Sequence, residues 1–291
     1  MKIKFWGVRG SIPVPGPKTA KYGGNTTCIE IRADSGELII LDGGTGIFQL
    51  AQSLLGEMPL TADIFITHSH WDHIHGLPFF IPLFVPENRL RIHGAHDLVS
   101  GCGVEQVMNI QLQYSFFPIR EEELKAAIEY FTLSPGEPVK IGDSTTVTPI
   151  LLNHPVVNFG YRIDSHGKSV FFTGDHEPHY NIYDPEDADF QDYQQIIEEK
   201  DAAIADAIRG TDVIIADSTY TSEEYPEKMG WGHGTYESSI ELAMAAGAKI
   251  LCFTHHEPTR SDDALEREFS KLPAPENMTF RLAKEGDEIE I

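Results

Sequence analysis

Residues 67–76 read Thr-His-Ser-His-Trp-Asp-His-Ile-His-Gly, which puts four imidazoles and a carboxylate within eight positions. Neutral imidazole nitrogens and carboxylate oxygens are the donors that divalent first-row metals take, so the composition of this stretch is that of a metal site. The stretch follows directly on Asp63-Ile64-Phe65-Ile66, which reads as a buried strand. A strand end fixes the first ligands on a rigid element, and the turn after it brings the others round to the same point. A His-rich surface loop is the alternative, and the spacing and the preceding strand argue against it.

Three later segments repeat the pattern. Leu151-Leu152-Asn153-His154, Val170-Phe171-Phe172-Thr173-Gly174-Asp175 and Ile250-Leu251-Cys252-Phe253-Thr254-His255-His256 each run from apolar residues into a metal-competent side chain. Taken singly, each is equally an ordinary turn. Together they describe strand tips, which a sheet sets side by side, so that residues far apart in sequence converge on one pocket.

The elements that must carry these tips alternate along the chain. Residues 2–7, 26–32 and 37–42 read as an antiparallel start, 46–55 as a helix, 63–67 as the strand before the motif, 90–93 as a strand and 104–113 as a helix. Residues 77–85 are apolar and broken by prolines, a segment expected in the core. Strands are expected at 128–133, 139–141, 145–153, 159–164, 169–173, 213–216 and 250–254, with helices at 193–208, 236–246 and 262–271. Two strand-rich halves, each finished by helix, suggest two packed sheets with helices outside and no linker between them.

Composition narrows the partners. With 45 acidic against 22 basic residues the net charge is −23, a field that repels polyanions, so a long nucleic acid is disfavoured as substrate. Residues 176–206 hold ten of the acidic side chains and one lysine, which reads as a solvated face. No run of about 18 apolar residues is present to span a bilayer, and no signal-peptide pattern opens the chain, so a cytoplasmic location is expected. Cys28, Cys102 and Cys252 are scattered, and are expected as thiols rather than a disulfide or a metal site.

The His-x-His-x-Asp-His spacing of residues 68–73, with the later His, Asp and His, resembles the metallo-β-lactamase superfamily over nearly the whole chain. The resemblance implies an α/β fold, a four-layer αββα sandwich forming a single hydrolase domain over 1–291, with two divalent metal ions at one sheet edge. Zinc is the usual occupant, and manganese or iron suits the same donors. Carried over by motif, His68, His70 and His154 are expected on one metal, Asp72, His73 and His255 on the other, and Asp175 between them. His255 is preferred to His256 because Phe253-Thr254-His255 matches the family's ending; His256 stays as the alternative. His75 falls outside the pattern. Asp42, before Gly43-Gly44, is expected to orient a ligand imidazole.

Two ions about 3.5 to 4 Å apart lower the pKa of a shared water enough to supply a bridging hydroxide, and neutralise charge growing on the attacked centre. Hydrolysis is therefore the expected reaction. Di-iron redox relatives typically carry Glu where this chain has His70, and a non-catalytic metal-binding regulator is expected to have lost ligands, so both are secondary readings.

Residues 213–220, ending in Asp217-Ser218-Thr219-Tyr220, and Gly232-His233-Gly234-Thr235 resemble the branch containing ribonuclease Z and its phosphodiesterase relatives. There an acidic residue orients a histidine that protonates the departing oxygen, which implies Asp217 and His233 here, with Asp72 completing the expected catalytic set. The alternative is that His233 caps the helix beginning near Tyr236. Phe5-Trp6-Gly7-Val8-Arg9-Gly10-Ser11-Ile12-Pro13, Tyr22-Gly23-Gly24-Asn25-Thr26-Thr27 and His255-His256-Glu257-Pro258 resemble a bacterial and phage group that opens cyclic nucleotide phosphodiesters. Gly24 and Asn25 are then expected, beside His233, to approach the substrate phosphate; an ordinary glycine turn is the alternative. The expected substrate is a small phosphodiester, a 3′,5′-cyclic nucleotide first, with a ribonuclease Z-like or other single-strand nuclease as runner-up. By the same analogy the protein is expected to be a homodimer with no membrane partner.

Overall fold

The computed structural model describes residues 1–98, 101–273 and 275–291. The first sheet contains β1 (Lys2–Gly7), β2 (Cys28–Arg32), β3 (Leu38–Leu41), β4 (Thr61–Phe65), β5 (Arg89–Gly94) and β6 (Ala127–Thr132). The second contains β7 (Val139–Ile141), β8 (Thr145–Leu152), β9 (Asn158–Ser165), β10 (Lys168–Phe172), β11 (Val213–Asp217), β12 (Ile250–Thr254) and β13 (Thr279–Leu282). A last strand, β14 (Glu288–Glu290), returns to the first sheet. Strand order is β14-β1-β2-β3-β4-β5-β6 in one sheet and β13-β12-β11-β10-β9-β8-β7 in the other.

Period-two alternation decides which side chains meet which layer. In β3, Ile39 and Leu41 enter the core between the sheets with Phe5, Phe65, Tyr161, Phe172 and Ile215, while Leu38 and Ile40 face the outer helices. Both faces of such a strand are buried, so it reads as an unbroken apolar run. The outer face of the first sheet is covered by α1 (Ile47–Ser53), α2 (Trp71–Ile74) and α3 (Val104–Gln111), through Leu50, Ile74 and Met108. The second is covered by α4 (Phe190–Ala207), α5 (Tyr236–Ala246) and α6 (Asp262–Phe269), through Ile204, Ile240 and Leu265. The result is the four-layer αββα sandwich.

The chain does not divide at mid-sequence as the two-halves reading supposed. β6 adds to the first sheet beside β5, and β14 pairs antiparallel with β1, Ile3 opposite Ile289. β13 and β14 were not expected at all; Thr279 and Arg281 of β13 and Glu288 and Glu290 of β14 point to solvent, as charged edge strands do. The proline-broken segment forms two short 3-10 turns that bury Leu77, Phe80 and Leu83, with Phe79 facing out. Cys28 and Cys252 are buried thiols. Among the described residues no helix is long and apolar enough to cross a membrane.

What this topology does for the site is to align tips. β3 and β4 are parallel, as are β10, β11 and β12, so Asp42, Thr67, Asp175 and His255 follow, and Asp217 ends, strands that finish at one edge of the sandwich. β8 and β10 flank β9, each antiparallel to it, so His154 arrives at the same edge.

Candidate metal centre

Three groups of donor atoms meet at that edge: His68, His70, His154 and Asp175; Asp72, His73, Asp175 and His255; and Asp175, Asp217, His233 and His255. Asp175 is common to all, and its two oxygens face different partners. Oδ2 lies 3.6 Å from His68 Nε2 and 3.9 Å from His154 Nε2. Oδ1 lies 3.2 Å from His73 Nε2 and 3.1 Å from His255 Nε2. Asp72 Oδ2 closes the second group, 3.4 Å from His73 Nε2 and 3.1 Å from His255 Nε2. All seven residues expected as ligands thus lie in the first two groups. His75 is exposed and outside them. His256 turns away, its Nε2 donating to Ala283 O at 2.8 Å.

Four imidazoles are fixed through Nδ1. His73 Nδ1 donates to Asp42 Oδ2 (2.7 Å), His154 Nδ1 to Gly232 O (2.8 Å), and His68 Nδ1 to Thr67 Oγ1 (3.1 Å). His255 Nδ1 donates to Thr219 Oγ1 (2.9 Å), which itself donates to Asp217 Oδ1 (2.6 Å). With Nδ1 committed to these acceptors, each Nε2 is the nitrogen left to face Asp175, and in the neutral ring it carries the lone pair a metal needs. Asp42 is held in turn by Thr67 N (2.7 Å) and takes φ +61°, a left-handed turn directly after β3.

The donor set fits cations. His68 Nε2, His73 Nε2 and Asp175 Oδ1 are buried without a hydrogen-bond partner, an arrangement that costs free energy unless something positive stands between them. Four carboxylates, Asp42, Asp72, Asp175 and Asp217, are buried within this cluster, and two divalent ions balance such charge. Burial pushes His68 well below the usual imidazole range and His154 to about 4, so both are neutral donors. Burial acts the same way on His73 and His255, but Asp175, with Asp72 and Asp42 around His73 and Asp217 beside His255, outweighs it and raises both. Protons on these two are what an incoming cation displaces.

Asp217 and His233 form a pair beside the cluster. His233 Nδ1 donates to Asp217 Oδ2 (2.9 Å), lies 3.7 Å from Asp175 Oδ2, and its ring stacks on His255 at 4.8 Å. Burial alone would lower this imidazole; the carboxylates of Asp217 and Asp175 overcome it and hold it at about 9. Asp217 is anchored by His176 N (3.1 Å) and by Thr219. The helix-cap alternative for His233 fails, because Thr235 caps α5, its side chain accepting from Ser238 N at 3.0 Å.

Gly24 and Asn25 are engaged by other groups of the chain. Asn25 N and Nδ2 donate to the two Glu285 oxygens (2.6 and 3.1 Å), and its Oδ1 accepts from Thr45 Oγ1 (3.1 Å). Gly24 O accepts from Val14 N (2.8 Å). A carboxylate seated on these groups repels the phosphate they were expected to meet. Sequence reading also missed Ser11, whose N–H donates to Asp72 Oδ2 at 2.6 Å, and the hydroxyl acceptors Thr67 and Thr219. Thr67 directly precedes His68, and that adjacency was the available signal; Thr219 and Ser11 lie in stretches already quoted, but nothing local points them at His255 or Asp72.

Residues 38–256 match the family described as the beta-lactamase superfamily domain. Ribonuclease Z of Halobacterium salinarum is 23% identical over 91% of this chain and 90% of its own length, and that of Acaryochloris marina 29% identical over 89% and 86%. Among solved structures, the metallo-beta-lactamase fold protein YhfI of Bacillus subtilis superposes with a TM-score of 0.69 at 19% identity, covering 99% of this chain and 98% of that one. The family match and the strand-tip donor cluster agree: the chain belongs to the beta-lactamase superfamily, as a metal-dependent hydrolase of the metallo-β-lactamase fold related to ribonuclease Z.

Proposed function

We propose that this protein is a binuclear phosphodiesterase whose substrate is a small phosphodiester, a 3′,5′-cyclic nucleotide before others. The reading is carried by one observation: a histidine held by a buried carboxylate, His233 on Asp217, stands 3.7 Å from the carboxylate common to both donor groups. His68, His70, His154 and Asp175 would hold one divalent ion, and Asp72, His73, His255 and Asp175 the other. Zinc suits these donors. Such ions supply a nucleophile from water near neutral pH and charge neutralisation at phosphorus. The chain's own part is to orient the donors and to deliver a proton. With Nδ1 committed to Asp217, His233 Nε2 is the nitrogen that faces a departing ribose oxygen, an alkoxide that needs protonation to leave. Asp217 keeps the imidazole charged and in that orientation.

A second reading, a ribonuclease Z-like nuclease, is favoured by the names of the relatives matched over nearly their full length. The charge of −23 weighs against it, and so does the segment between β10 and α4, where residues 173–189 contain no lysine or arginine to grip a polyanion. The deciding experiment sets metal-loaded protein against a panel of 3′,5′-cyclic nucleotides and, in parallel, 3′-extended structured RNA. Turnover of a cyclic nucleotide with RNA left intact is the expected result. Efficient RNA cleavage without cyclic nucleotide turnover transfers the assignment to the second reading.

A further inference from the structure

Glu177 is 2% exposed, two residues beyond Asp175, and the chemistry above makes no use of it. Its carboxylate accepts three hydrogen bonds: Oε1 from Tyr225 OH and Gly230 N, both at 2.8 Å, and Oε2 from Gly232 N at 2.9 Å. Its backbone is fixed as well, with N–H donating to Asn153 O (3.0 Å) and C=O accepting from Asn153 Nδ2 (3.1 Å). One residue therefore joins the turn bearing Asp175, the strand end bearing His154, and the segment 225–233.

Gly232 is where that segment meets the donor cluster. Its carbonyl receives His154 Nδ1 at 2.8 Å, its φ is +87°, and a Cβ there would stand 2.4 Å from the same nitrogen. Only glycine lets the carbonyl come so close. His233 is the next residue, so the peptide that Glu177 grips at its N–H also sets where His233 begins. We propose that Glu177 is a positioning residue: through Gly232 it fixes the tautomer and direction of His154 as a metal donor, and with the same grip it places His233. Hydrogen bonds to a buried carboxylate are short and strong, which suits a part that must hold a loop still without touching substrate.

The inference rests on His154 being a metal donor, and the test separates the two. Glu177→Gln keeps the volume but offers one acceptor oxygen in place of two, turning an amide donor toward the Gly232 N–H or one of the other two donors. Tyr225→Phe removes a single bond and is the milder variant should the first not fold. His154→Ala is the control. Each protein is titrated with Co²⁺, its visible absorption recorded, and kcat and KM measured on bis-p-nitrophenyl phosphate alongside thermal unfolding. In Glu177→Gln one Co²⁺ site is expected to weaken by about 10- to 100-fold, with altered absorption and a fall in kcat larger than any change in KM. Tyr225→Phe changes all three in the same direction by less. Wild-type Co²⁺ affinity and absorption in Tyr225→Phe and any folded Glu177→Gln, with only the unfolding temperature lowered, overturn the proposal while His154→Ala still loses a site. Two unperturbed Co²⁺ sites in His154→Ala overturn the donor reading and the proposal with it.

Discussion

His68, Asp175 and His255 stand just past the ends of strands buried on both faces, with His73 on the short helix α2 that follows β4, whereas His233 stands in the irregular segment between β11 and α5 and depends on side-chain hydrogen bonds for its place. The first group inherits its geometry from the two sheets, since parallel neighbours end together whatever their loops do. The second is set by Asp217, and by the Gly232 peptide that His154 and Glu177 hold between them. The difference separates two tasks: the sheet edge gathers charge and binds cations, and the loop decides which leaving group is served. Relatives can therefore share the first while differing in the second.

The strongest way to break that comparison is to attack the residue common to both donor groups. Asp175→Asn should retain the fold, bind at most one metal per chain, and lose phosphodiesterase activity by more than about 10³-fold. Two metals bound at wild-type affinity in that variant, measured by metal analysis after dialysis, would remove Asp175 from its role. Asp217→Asn should act mainly on the second region, lowering kcat by about 10- to 100-fold while weakening metal binding far less, through the Thr219 link to His255. A loss of metal instead would join the two regions into one.

Proton competition offers a gentler separation. Asp175, Asp72 and Asp42 raise His73, and Asp175 and Asp217 raise His255, so protons must leave both before a cation binds. Raising the pH beyond the usual imidazole range removes those competing protons and tightens metal binding, and lowering it does the reverse. Calorimetry in buffers of different ionisation enthalpy should show proton release, with the same release in His233→Ala; no release would contradict the assignment of these donors. The smallest effect is expected from Asn25→Ala. It loses the side-chain hydrogen bonds to Glu285 and Thr45 and so stability of about 1 kcal/mol, while KM moves less than about 2-fold. A large rise in KM would restore Asn25 to the phosphate site.

The donor cluster was legible because each apolar run stops at an acid or a histidine, and a run buried on both faces leaves its tip at a sheet edge. Asp42 was legible for the same reason. What sequence could not show were the groups that receive Nδ1 of His154 and His255: the carbonyl of Gly232 meets His154 across 78 positions, and Thr219 meets His255 across 36. Nothing local marks such pairs. The partner of Asn25 was hidden for a related reason, since Glu285 reaches it across 260 positions and supplies a charge that no nearby residue announces. β14 escaped because three residues with one buried side chain carry no period to read.

The claim that His233 serves the leaving oxygen is tested most directly by varying that oxygen. In His233→Ala with full metal content, hydrolysis of a 3′,5′-cyclic nucleotide, whose alkoxide must be protonated, should fall by about 10²- to 10⁴-fold. Hydrolysis of bis-p-nitrophenyl phosphate, whose phenolate departs unaided, should fall far less. Equal losses on both substrates, or none on the cyclic nucleotide, would contradict the account.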